Sequence, residues 1–283
     1  MSIVTKQHWT IDQIPGFCIT LERRSERWKR FQDQYGVRAL PRLRRFLAID
    51  GKKIDIVNDS RISLLTKRNI ILKTRRSHEQ LSTAGGVGCA LSHIALWKWM
   101  VDNNEEILLV MEDDAVVPAD FKDRINQLIQ SSPTLKDPAQ WDIWLIGAKW
   151  DVIEPISGET ASGLIRPYAF FLAHCYIITK KYAEKLLADV FPIESHIDMW
   201  MSNYATIHKA HMVATPMIRL SQALWPTDIQ VKEIGESICD LPTDYVKTHT
   251  LVTNTEHKVA RVAEAACIIF LGYLVINHLR KVL

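Results

Sequence analysis

Short apolar runs alternate with longer amphipathic stretches along this chain. "GFCITL" (16–21) is continuously apolar and stops at a charged turn, after which the helix-like "RRSERWKRFQDQYG" closes on Gly36. "RRFLAIDGKKI" reads as a strand halted at Asp50-Gly51, with a polar connection beyond it. In "GCALSHIALWKWMVDN" the residues Ala90, Leu91, Ile94, Ala95, Trp97 and Val101 recur at helical spacing. "ILLVMEDD", "WDIWLIGA" and "AHCYIITK" are apolar runs of strand length, and the last leads into the helix "KYAEKLLADV". Strands alternating with helices predict an α/β fold with a largely parallel central sheet, filling residues 1–231.

The pattern changes after that. Residues 232–261 are polar and aperiodic, as a linker would be. Residues 262–283 then form an apolar stretch, with Arg261 before it and Arg280-Lys281 near its end, which predicts a hydrophobic C-terminal helix. Its uninterrupted apolar part, 265–276, would be about 18 Å long against a hydrocarbon core of roughly 30 Å. With Glu264, Asn277 and His278 taken as interfacial residues it approaches a minimal span, so membrane contact or anchoring is expected here. The alternative is a helix packed on the domain or in an oligomer interface.

Composition narrows the classes without choosing one. The 283 residues are 47% hydrophobic and 24% charged, ordinary for a globular chain. A net charge of +3 is too mild to imply nucleic acid. Between Arg23 and Arg45, nine Lys/Arg face only Glu26 and Asp33, either a solvated basic face or a site for an anion. The five cysteines are scattered without CxxC spacing, which suggests neither a disulfide framework nor a structural zinc site. The first residues lack the basic and apolar regions of a secretory signal, so the expected location is cytoplasmic, with membrane association through the C-terminus.

Candidate chemistry centres on Glu112-Asp113-Asp114, which closes an apolar strand. Side chains two apart on a strand share a face, so Glu112 and Asp114 point together while Asp113 anchors the turn. In open α/β sheets ligands bind beyond the carboxyl ends of strands, and two convergent carboxylates suit Mg²⁺ or Mn²⁺. A solvated acidic turn is the alternative. Upstream, "GGVGCALSH" places Gly85, Gly86 and Gly88 before a helix carrying Ser92 and His93. Glycines permit close backbone approach to a ligand, and a helix start accepts an anion. The spacing fits neither a Walker A loop nor GxGxxG.

Together, "ITLERRSERW", "RRFLAIDG", "GGVGCALSHIALW", "ILLVMEDDA", "WDIWLIGA" and "AHCYIITKKYAEKLL" resemble glycosyltransferase family 25 in order and spacing, over about residues 15–230. The resemblance implies a GT-A-like fold, a nucleotide-sugar donor (commonly UDP-galactose) and a divalent cation, commonly Mn²⁺. It makes Glu112, Asp113 and Asp114 the counterpart of a DxD metal motif, with Glu112 and Asp114 as metal contacts. Thr20, Glu22, Arg24 and Arg27 fall where the first strand and turn meet the nucleotide, and Asp50 is placed for the base or ribose. Ser92, His93 and Asp113 complete the expected donor-binding set. Thr20 and Glu22 depart from the Asn and Asp usual in the family.

The resemblance also implies an inverting displacement, which needs a base for the acceptor hydroxyl of a glycan or protein. In "FPIESHIDMWMSNY" Asp198 is the first candidate and Glu194 the second; four residues apart, they share a face if that stretch is helical. Asp198 lies among apolar neighbours, as at a cleft wall. His196 and Asp228 are further candidates for a metal or donor contact, and Trp150, Trp200 and Trp225 for stacking on an acceptor sugar. The rival readings are a non-catalytic sugar- or nucleotide-binding protein on the same fold, a membrane-tethered scaffold, and a metal-dependent phosphohydrolase, which shares the acidic cluster but lacks the His/Asp-rich motifs such sites need.

Overall fold

The computed structural model describes residues 9–75, 77 and 79–223. The linker, the C-terminal hydrophobic segment, Trp225 and Asp228 lie outside the described residues. Among the described residues no helix is long and apolar enough to cross a membrane.

The chain enters through β1 (Gly16–Thr20), helices α1 (Ser25–Gln32) and α2 (Tyr35–Arg38), and β2 (Leu43–Leu47). Helices α3 (Leu64–Leu72) and α4 (Ala84–Asp102) lead to β3 (Ile107–Glu112) and the short β4 (Ala115–Val116). Then come α5 (Phe121–Ser131), α6 (Pro133–Lys136), β5 (Ile143–Pro155), β6 (Ile165–Thr179) and α7 (Lys180–Asp189). The described part finishes with α8 (Ile197–Ile207), β7 (Met212–Ala214) and β8 (Ser221–Gln222).

Six strands form one sheet in the order β2-β1-β3-β6-β5-β7. β1 is parallel to β2 and β3, and β5 is parallel to β7. β6 runs antiparallel to both β3 and β5 and is therefore the one reversed strand of the sheet. The expectation of an α/β fold holds, with a mixed sheet in which the parallel strands flank one antiparallel insertion. Both faces are covered, which is why the strands read as unbroken apolar runs. On β3, Leu108 and Val110 enter the core shared with α4, whereas Ile107, Leu109 and Met111 enter the core shared with α5. That alternation sends Glu112 toward His93 of α4, while Asp113 and Asp114 lie in the turn between β3 and β4, beyond the reach of the strand period expected to align Glu112 with Asp114.

Two local expectations need correction. The helix after β1 does not run to Gly36: it ends at Gln32, and Gly36 lies inside α2. A side chain on Gly36 would collide with the Pro118 carbonyl, so close packing requires the glycine there. The polar connection after β2 contains α3, whose pattern is inverted. Its buried positions include Thr66 and Asn69, while Leu64, Ile71 and Leu72 are exposed.

The start of α4 is fixed by backbone contact. Thr83 caps it, accepting from Gly86 N at 3.1 Å. A Cβ on Gly88 would be driven into the Ile49 carbonyl and to 2.7 Å from the Gly51 nitrogen, and one on Gly51 into the Ala84 carbonyl. These glycines therefore let the "AIDG" turn and α4 touch each other, where the sequence suggested an approach to ligand. Ser92 rivets the same contact, accepting from Ile49 N at 2.9 Å and donating to Gly88 O at 2.7 Å. Gly88→Ala must displace backbone on both sides, so a loss of about 1–3 kcal/mol is expected in denaturant unfolding.

Candidate functional site

The carboxyl ends of β1 and β3 lie side by side, with Ile19 opposite Glu112 in the ladder. Thr20 follows at the end of β1; its side chain is buried and its hydroxyl has no hydrogen-bond partner among the described residues. Each acid of the 112–114 triplet meets a different neighbour. Glu112, whose side chain is 20% exposed, accepts from His93 Nε2 at 3.1 Å. Asp113, turned to the other face, ion-pairs with Arg27 of α1. Asp114 accepts from Gln222 Nε2 at 2.8 Å and lies 3.6 Å from Arg27, while its Oδ1 is buried without a hydrogen-bond partner among the described residues.

The tautomer of His93 follows from donor arithmetic. Trp97 Nε1 can only donate, and it gives its hydrogen to the Tyr176 hydroxyl at 3.0 Å. The Glu112 carboxylate, held ionised, can only accept, so the Nε2 facing it at 3.1 Å carries the hydrogen of the neutral imidazole, and Nδ1 accepts from the Tyr176 hydroxyl at 2.9 Å. A buried chain from Trp97 through Tyr176 and His93 thus orients one carboxylate.

The two facing acids have opposite electrostatics. Burial pushes the Glu112 carboxyl up, but the His93 hydrogen bond and the charges of His93, His174 and Arg27 bring it below the usual glutamate range. Asp114 is pushed up to about 7, first by burial and then by the negative charge of Glu112, against the pull of Gln222 and Arg27. The Cys89 thiol is raised well above its ordinary value by burial, with Glu112, Asp198 and Asp114 pushing the same way. All three carboxylates therefore act on one region beside the first turns of α4. His174 on β6 belongs to the same neighbourhood: it feels Glu112, burial lowers it, and its Nδ1 is buried without a partner.

Asp50 caps the turn at Gly51–Lys53, accepting from Lys52 N at 3.1 Å and pairing with Arg23 at 2.9 Å. Although burial pushes upward, these hydrogen bonds hold its carboxyl below the usual range. Glu22 and Arg24 lie at the exposed edge, with Lys53 3.8 Å from Glu22 and Glu26 3.5 Å from Arg24. Ser92 is fully buried and occupied by the chain itself. Asp198 lies in the first turn of α8, accepting from Leu172 N at 2.8 Å and from Met199 N at 2.9 Å. Glu194 precedes that helix with an exposed side chain, so the two do not share a helical face. His196 contacts Arg75 at 3.4 Å. Trp200 packs between Trp97 and Tyr204, and Arg219 stacks over Trp150 at 5.0 Å.

The structure thus gathers Thr20, Arg27, His93, Glu112, Asp113 and Asp114 around the carboxyl ends of β1 and β3. Cys89, Tyr176, His174 and Gln222 join them without having been singled out in the sequence. Cys89 had the readable signal, being four residues before His93 on a helix; the other three come from distant strands.

Comparison with known proteins agrees with the sequence pattern. The model of "Glycosyltransferase family 25 (LPS biosynthesis protein)" matches residues 13–157, just over half of the 283-residue chain. A "Glycosyltransferase 25 family member" of Aedes aegypti is 26% identical over 197 residues, 66% of this chain and 31% of its own. The "Probable inactive glycosyltransferase 25 family member 3" of Bos taurus is 24% identical over 257 residues, 85% and 38% respectively. "Procollagen galactosyltransferase 1" of Danio rerio is 28% identical over 194 residues, 66% and 30%. The chain spans about a third of the length of these curated relatives.

Two measurements probe the polar centre directly. Tyr176→Phe leaves Trp97 and His93 without their shared partner, and a loss of about 1–3 kcal/mol in unfolding free energy is expected. Asp114 titrates near 7 in the folded chain against 3.8 when unperturbed, so folding takes up a proton between those values. Its contribution therefore lowers the stability of the cation-free protein as pH rises from about 4 to about 7. Asp114→Asn removes that slope and is expected to be more stable than the parent at pH 8, by on the order of 2 kcal/mol, with the gain vanishing near pH 4.

Proposed function

The chain belongs to glycosyltransferase family 25, and from that membership we propose that it transfers a hexose from a UDP-sugar to a hydroxyl of a glycan or protein acceptor. Galactose is the donor sugar in this reading, the catalytic fold is GT-A-like, and the displacement inverts the anomeric carbon. One observation supports it above the others: the Glu112–Asp114 pair is half-buried at a strand end, with Asp114 Oδ1 unpartnered among the described residues and its carboxyl held up to about 7. Such a site is short of positive charge.

A divalent cation fits that shortage. Glu112 and Asp114 would hold it through hard oxygen donors suited to Mn²⁺ or Mg²⁺. When bound, the cation offsets the charge of the donor diphosphate. Arg27 keeps Asp113 and Asp114 in place from the α1 side. The Thr20 hydroxyl, buried and unpartnered at the strand end, has a hydrogen to give to the donor nucleotide. Asp50 keeps its turn rigid beside them. Asp198 takes the proton of the acceptor hydroxyl, since backbone N–H groups fix both of its oxygens. Glu194, exposed and outside the helix, is the second choice.

A second reading, donor binding without transfer, has support in the cattle relative whose name calls it inactive. Mass-spectrometric turnover over a panel of UDP-hexoses with Mn²⁺ separates the two. Release of UDP supports catalysis, and binding without release supports the second reading. Asp198→Asn keeps an acceptor for Leu172 N–H, so it is expected to fold while losing about 10²–10⁴-fold in turnover. Full turnover in that variant would remove Asp198 from the base role. Glu112→Gln with Asp114→Asn is expected to abolish Mn²⁺-dependent donor binding in calorimetry.

A further inference from the structure

Cys89 and His93 lie four residues apart on α4, so one helix face presents both, and that face meets Glu112 at the end of β3. A Cys89 sulfur, a His93 ring nitrogen and a Glu112 oxygen all lie within 4.8 Å of one another. This donor set differs in kind from the Glu112–Asp114 pair. Sulfur and imidazole select Zn²⁺ or Co²⁺, whereas an all-oxygen pair suits Mn²⁺ or Mg²⁺.

The surroundings suit a ligand role for each side chain. Tyr176 faces His93 Nδ1 at 2.9 Å, which directs Nε2 into the cluster and supplies the outer partner that a metal-bound histidine requires. Trp97 holds the Tyr176 hydroxyl in turn. Among the described residues Cys89 has no hydrogen-bond partner, so its sulfur is committed to nothing else. Glu112 is partly open to solvent, which leaves a route in and a fourth position for water.

We propose that Cys89, His93 and Glu112 form a site for a thiophilic divalent cation of the Zn²⁺ type. On binding, the Cys89 thiol releases its proton to solvent. The His93 proton moves from Nε2 to Nδ1, where the Tyr176 oxygen accepts it, and Nε2, Sγ and a Glu112 oxygen take the cation. One proton is released per cation, so affinity rises with pH. Glu112 belongs to both donor sets, so a cation here opposes a hard cation at Glu112 and Asp114. This last consequence alone rests on the transferase reading.

Co²⁺ serves as the spectroscopic probe, titrated into the reduced full-length chain. A near-ultraviolet thiolate-to-cobalt band is expected to saturate at one equivalent and to disappear when Zn²⁺ is added. Cys89→Ser, checked for parental thermal unfolding and backed by Cys89→Ala, is expected to abolish the band. Tyr176→Phe is expected to weaken binding about 10–100-fold, and Asp114→Asn to leave the band intact. No band in the parent chain overturns the site, and so does a band that survives both Cys89 variants. Zn²⁺ is further expected to inhibit Mn²⁺-dependent turnover in the parent but not in Cys89→Ser. A parent chain without turnover would count against the transferase reading, while the cobalt band would still judge the site.

Discussion

Three adjacent carboxylates at the end of a strand repel one another, and the fold separates them by ending β3 at Glu112 and carrying Asp113 and Asp114 into the turn before β4. Glu112 continues the face that carries Leu108 and Val110 and so meets His93 of α4. Asp113 turns to the opposite face and meets Arg27 of α1. Asp114 is left with Gln222 and a longer approach to Arg27, and one of its oxygens has no partner. The charge that the chain does not neutralise is thereby concentrated on the Glu112–Asp114 side, facing the α4 helix. Partial compensation of this kind leaves room for a cation, because full pairing of Asp114 would make its binding a competition with an internal ion pair.

The precision of that arrangement depends on where α4 starts. His93 reaches Glu112 only if the helix is held at a fixed height against the sheet. Backbone-to-backbone contact at Gly51 and Gly88, closed by the two hydrogen bonds of Ser92, sets that height. The residues of "GGVGCALSH" therefore act on the site through position. Glycine shortens the gap, serine locks it, and cysteine and histidine one turn apart are carried to the acid cluster. Ser92 thereby acts on the acid cluster from a buried position, with its hydroxyl occupied by Ile49 and Gly88.

The legible parts of the molecule were those where local pattern and tertiary role coincide. "ILLVME" of the expected "ILLVMEDD" is β3 because both of its faces are buried, with Asp113 and Asp114 in the turn after it, and "KYAEKLLAD" lies in α7 because its apolar face packs on the core. Helix α3 was unreadable for a definite reason: Thr66 and Asn69 face inward on hydrogen bonds while Leu64, Ile71 and Leu72 face outward, so apolar periodicity points the wrong way. The reversal of β6 was equally hidden, since a buried strand has the same composition in either direction. At the site, the acids announced themselves as a charge anomaly at a strand end. Tyr176 and Gln222 did not, because each is joined to the cluster across more than eighty residues of chain.

Asp198 shows how a structural duty and the proposed chemical one can share a side chain. Leu172 takes a φ of +59° in the middle of β6, a conformation that costs an ordinary L-residue about 1–2 kcal/mol. The register with β5 is irregular nearby, and beyond this point Phe170 and Ala173, three apart, both face the α4-side core. Asp198 accepts the Leu172 N–H at 2.8 Å, and a hydrogen bond to a charged acceptor contributes about 1.5–3 kcal/mol, enough to offset the strain. A carboxylate placed to hold this bend is also fixed in orientation, with both oxygens tethered by backbone and lone pairs left over. That is the condition a general base must satisfy, so the strain at Leu172 and the chemistry assigned to Asp198 follow from one placement.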